Sequence, residues 1–124
     1  MEALLHDWLS QNCRVKGVLA CGIVFPDKTN LSLSCGPDFP TELLEKAWRC
    51  VADTYEVAQL HHFSPTSLHW VYPQGHLYSV RRADRITFNA FLNADASAVD
   101  IGAVQALFAE FKHLGTDRPQ AHQP

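Results

Sequence analysis

A chain of 124 residues, 47% of them hydrophobic, is expected to form one domain that closes a core of its own without disulfides or structural metals. Its net charge of −3, with both signs interspersed, leaves no basic stripe for phosphates, which excludes nucleic acid as an expected partner. No apolar run approaches the roughly 20 residues of a membrane span, and Glu2, His6 and Asp7 do not suit a signal peptide, so the expected location is the cytoplasm.

Leu4, Leu5, Trp8 and Leu9 recur at helical spacing and predict a first helix from Glu2 to Asn12, ended before Gly17. Val15 to Phe25 is apolar on both alternating faces, as in an interior strand covered on both sides. Pro26-Asp27-Lys28-Thr29-Asn30 is turn chemistry, and Leu31, Leu33 and Cys35 alternate with Ser32 and Ser34 in a second strand that completes a hairpin. Gly36-Pro37 then breaks the chain. A long central helix follows from Asp38 to His61, started by Asp38 with Pro40 in its first turn. Its apolar residues make two adjoining stripes, Leu44, Ala47, Trp48, Val51, Tyr55 and Ala58 beside Leu43, Cys50, Thr54 and Val57. One stripe suffices to cover a sheet, so the other is free for a second contact.

After His61-His62-Phe63-Ser64-Pro65 the period returns to two. Leu68, Trp70 and Tyr72 lie on one side of a third strand, and Ser67, His69 and Val71 on the other. Pro73-Gln74-Gly75 turns the chain into a fourth strand, Leu77 to Arg82, with Trp70 expected opposite Tyr78 and Leu68 opposite Val80. Arg81 to Arg85 reads as a solvated connection. Ile86, Phe88, Ala90 and Leu92 alternate with Thr87, Asn89 and Phe91 in a fifth strand, and Ser97 with Asp100 suits a capping box for a last helix bearing Ile101, Val104, Leu107, Phe108 and Phe111. The expected domain is 1–115, closed by Gly115, and 116–124 reads as a flexible tail.

The resulting fold class is α+β, a five-stranded antiparallel sheet with helices on both faces in the order α-β-β-α-β-β-β-α. That order, together with Val15-Lys16-Gly17-Val18-Leu19-Ala20 entering the first strand and the hairpin Phe25-Pro26-Asp27-Lys28, resembles the Roadblock family. This family comprises small profilin-like domains of dynein light chains and of regulators of small GTPases. The resemblance runs from Leu4 to Leu114, and departs from the family at Asp27-Lys28, where an Asp-Gly turn is usual. It implies a homodimer paired through the central helix and the edge strand after it. The interface residues would be Leu43, Ala47, Cys50 and Thr54 on the helix and Ser67, His69 and Val71 on the strand.

Chemistry-bearing residues add no active site to this reading. The seven histidines do not converge: His61 and His62 diverge by 100° on a helix, and on the expected register His69 and His76 fall on opposite faces of the sheet. The four cysteines lie in apolar-periodic segments without Cys-x-x-Cys spacing and read as buried thiols. No nucleophile elbow, phosphate-binding loop or dinucleotide fingerprint is present, so no cofactor is expected. Two functions stay open. One is a non-enzymatic homodimeric scaffold or regulator whose implied partner is a small Ras-like GTPase. The other is a ligand-sensing domain with an aromatic pocket around Trp70 and Tyr78.

Overall fold

The structure, a computed structural model, describes residues 2–36 and 38–115. The tail expected at 116–124 lies outside the described residues. Helix α1 (Glu2–Asn12) leads into strands β1 (Val18–Val24) and β2 (Asn30–Ser34), then helix α2 (Thr41–Leu60), strands β3 (Ser67–Tyr72), β4 (Gly75–Arg81) and β5 (Thr87–Asn93), a short 3-10 turn (Ala96–Ala98) and helix α3 (Ile101–Phe111). The strands form one antiparallel sheet in the order β2-β1-β5-β4-β3. This is the α+β arrangement the periodicities call for, with β2 and β3 as its two edges.

Each face of the sheet closes its own core. On one face Leu5, Trp8 and Leu9 of α1 and Val104, Leu107 and Phe111 of α3 meet Val18, Cys21, Ile23, Phe88, Ala90 and Leu92. On the other, Leu44, Trp48, Val51 and Tyr55 of α2 meet Ala20, Val24, Leu77 and Phe91. β1 and β5 are buried on both faces because they are central, which explains why β1 lacks a polar side, while β5 buries Thr87 and Asn89 among its apolar residues. Gly22 lets α2 approach: a Cβ there would come within 2.4 Å of the Trp48 ring. Trp48 in turn donates its indole N–H to Ser32 Oγ at 2.9 Å.

Three local expectations are corrected. The third and fourth strands pair Trp70 with Leu77 and Leu68 with Ser79, one residue away from the expected register. The cause is the turn, in which Tyr72 already pairs with Gly75, so that only Pro73 and Gln74 form the loop. Helix α2 starts at Thr41, preceded by Pro40 without a side-chain cap, and Pro40 O accepts from the Leu43 and Leu44 amides. Asp100 caps α3 itself by accepting from the Ala103 amide at 3.1 Å, while the Ser97 hydroxyl donates to Asp95.

Candidate interaction surface

Helix α2 buries the stripe Leu44, Trp48, Val51 and Tyr55 on the sheet, and its second stripe stays outside. Leu43 is 48% exposed and Val57 54%, and the apolar run continues past the helix end through Leu60 at 78% and Phe63 at 68%. Cys50 is exposed, Thr54 half-buried, and Ala47 half-buried where the two stripes meet. The Thr54 hydroxyl donates back to Cys50 O at 2.8 Å, so its hydrogen-bonding demand is met inside the helix and its methyl group remains for contact. A shallow groove of about 740 Å³ runs along this side between Lys46 and Phe63. A second hollow of about 900 Å³ opens at the other end of the helix, where Phe39, Leu43 and Ala47 face Tyr72 and Phe91.

The edge strand β3 continues this surface. Arg81 N–H donates to Thr66 O at 2.8 Å, and Tyr72 pairs with Gly75 across the tight turn. Bonding to β4 therefore falls to Thr66, Leu68, Trp70 and Tyr72, and the alternation of an antiparallel ladder turns the main-chain groups of Ser67, His69 and Val71 to the open edge. The side chains of those three residues point to the face opposite α2, alongside Val80, Tyr78 and His76. Of the seven residues read as an interface, Leu43, Ala47, Cys50 and Thr54 thus share one side of α2. Ser67, His69 and Val71 join that surface through their backbone and not through their side chains.

Solved structures provide the comparison that sequence does not. No family model matches the chain, and no curated protein matches it. Gliding protein MglB from Thermus thermophilus superposes with a TM-score of 0.63 at 12% identity, over 86% of this chain and 82% of that one. An MglB with a tetrameric arrangement gives 0.63 at 12% identity over 90% and 84%, and a Roadblock/LC7 domain from Streptomyces avermitilis gives 0.57 at 12% over 83% and 92%. The fold is Roadblock-like.

Within this Roadblock-like sheet several sequence expectations change. The one-residue register shift puts Trp70 on the α2 face and Tyr78 on the α1/α3 face, so the two cannot line one aromatic pocket. The same shift brings His69 and His76 together on one face, with His69 Nε2 and His76 Nδ1 2.9 Å apart, where the expected register separated them. Cys13 and Cys21 are buried, and a hydrogen bond with Cys13, then burial, push the Cys21 thiol far up, as expected of an inert thiol. Cys35 and Cys50, in contrast, are exposed. His61 forms the C-cap of α2, and His62 follows with φ 67°.

Arg82 belongs to no solvated loop. Its guanidinium is buried, donating to Phe111 O at 2.8 Å, to Leu114 O at 2.6 Å and to the Asp84 carboxylate at 2.7 Å. It satisfies the carbonyls at the C-terminal end of α3, where a cation is favoured by the helix dipole. Arg81 lies over the Tyr55 ring at 5.3 Å, and Arg82 over the Phe111 ring at 4.7 Å. Among the described residues no group of three or more His, Cys, Asp or Glu is placed to hold a metal ion, and no helix is long and apolar enough to cross a membrane.

Proposed function

We propose that the chain is a homodimeric, non-enzymatic scaffold or regulator of the cytoplasm, paired through the outer side of α2 and the open edge of β3, and that the platform so formed binds a small Ras-like GTPase. The observation that carries the reading is the continuous surface from Leu43 through Cys50 and Val57 to Phe63, joined to an unpaired strand edge on a Roadblock-like fold. Apolar side chains on a helix that already covers its sheet lower the free energy further only when a second surface removes them from water. An open strand edge gains in the same way from a partner strand. One two-fold axis can satisfy both, since each needs the same patch on both copies. The MglB with a tetrameric arrangement supports self-association as something this fold can do.

The GTPase part is tested by mixing the chain with a small Ras-like GTPase of the same cell, loaded with GDP or with a non-hydrolysable GTP analogue, and separating the mixture by gel filtration. Co-elution with one nucleotide state and not the other is expected. Separate elution in both states overturns the GTPase assignment and leaves the scaffold to be judged by its own mass.

A further inference from the structure

The turn between β4 and β5 gathers two arginines, Arg81 and Arg85, neither of which forms an ion pair among the described residues. Arg81 ends β4 and pairs across the ladder with Thr87, so the two side chains leave the sheet on the same face, the one beneath α2. Its guanidinium lies over the Tyr55 ring at 5.3 Å and donates to the Gln59 amide oxygen at 3.4 Å. Arg85 holds the turn at a left-handed φ of 70°, and its guanidinium has no partner among the described residues. With Lys28, Tyr55 and Thr87 they border a hollow of about 90 Å³. At about 30 Å³ for each water it holds roughly three, room for one small ion and not for a nucleotide.

The floor of the hollow adds a donor. Thr87 is 5% exposed, and its Oγ1 accepts from Asn89 Nδ2 at 3.1 Å. The amide has one orientation, because the same Nδ2 also donates to Gly22 O at 3.3 Å and a carbonyl only accepts. Thr87 therefore keeps its own hydroxyl proton, for which no acceptor stands among the described residues. One carboxylate also borders the hollow, that of Glu56, but Lys28 Nζ holds it at 3.2 Å and offsets its charge. What remains is two guanidinium groups with N–H bonds to give and one buried O–H, all of them donors.

We propose that this hollow binds one tetrahedral oxyanion, a phosphate ion or the phosphoryl group of a phosphorylated partner, with Arg81 and Arg85 as the charged donors and Thr87 Oγ1 as the donor at its floor. Guanidinium groups present paired N–H bonds that match phosphate oxygens, which a single ammonium does not. The site lies on the side of α2 that carries Tyr55 and Gln59, roughly 140–180° around the helix from Cys50. It therefore stays open when the Cys50 side is covered, and its test is independent of the self-association proposed above.

The test follows the backbone amide signals of the ¹⁵N-labelled full chain during titration with sodium phosphate, with O-phosphoserine, and with sodium chloride at matched ionic strength. R81Q, R85G and T87V run in parallel, with thermal unfolding by circular dichroism to check their fold. Saturable shifts around Arg81, Arg85 and Thr87 with phosphate and not with chloride are expected. Glycine accepts a φ of 70° freely, so R85G should keep or raise the melting temperature while weakening phosphate binding roughly tenfold or more, the worth of one charge-assisted hydrogen bond. T87V, which keeps the shape of the side chain and loses its O–H, should weaken binding as well. Shifts that chloride reproduces overturn the site, as does a phosphate affinity unchanged in R85G. Phosphate binding without phosphoserine binding supports the site with a free ion as its ligand, and phosphoserine binding as tight as phosphate or tighter supports it with a phosphorylated partner.

Discussion

At the scale of single residues, Arg82 does more for the fold than its place in a short charged connection suggests. Replacing it by Ala leaves Phe111 O and Leu114 O without their charged donor beside a buried ring, which should cost about 2–4 kcal/mol. Urea unfolding of R82A should show that loss at an unchanged slope. Asp84 gives the pH dependence: burial raises its carboxyl, but hydrogen bonds from Arg82 and the Ile86 amide outweigh this and hold it below the ordinary 3.8. A lowered folded value contributes stability that is complete above the ordinary carboxyl range and lost as pH falls through the lower folded value. Thermal unfolding should therefore separate the wild type from D84N near neutral pH, with the gap closing in acid. None of this was legible locally, because Arg82 meets Phe111 and Leu114 only in the folded chain. Lys28 is a different case. It takes the left-handed φ of 72°, a conformation glycine adopts freely and that costs a side chain about 1–2 kcal/mol. Its ammonium group reaches Glu56 at 3.2 Å and Asp53 at 3.5 Å, tying the turn to α2. Lys28 thus exchanges the backbone ease of a glycine for a surface clamp.

At the scale of elements, α2 was readable because a period of 3.6 separates its stripes before any contact is known. The buried set Leu44, Trp48, Val51 and Tyr55 lies within the first of them. The β3–β4 pairing was not, since one residue more or less in a turn moves every side-chain pair by one register, and Pro73-Gln74-Gly75 fits either count. That ambiguity placed Trp70 beside Tyr78 and parted the two histidines. The ladder also supplies a sharp experiment on the edge. Val71 N–H points outward, so V71P should keep the fold, by far-ultraviolet circular dichroism, and weaken self-association. W70P should remove an amide bonded to β4 and destabilise the chain. If V71P leaves the mass unchanged at every concentration, β3 is not part of the interface. On α2, Glu in place of Ala47 or Cys50 should set a charge against its own copy, at a cost of several kcal/mol per dimer. Size-exclusion chromatography with light scattering should then report a monomer for A47E and C50E.

At the scale of the whole molecule, two closed cores leave one side of the domain unfinished. The α1/α3 face is covered by its own helices, whereas α2 exposes a second apolar stripe beside an open strand edge. A stable pair of small domains buries about 800 Å² on each partner, an area that a 20-residue helix side and a neighbouring strand can together supply. The architecture was legible from the order of elements, since five strands and three helices of these lengths admit few antiparallel arrangements. The partner was not legible, because an apolar stripe states that something covers it and not what. Sedimentation velocity of the wild-type chain across micromolar concentrations decides the central claim most directly. A mass of two chains that falls toward one on dilution is the expected result, and a clean monomer with no concentration dependence would contradict the account.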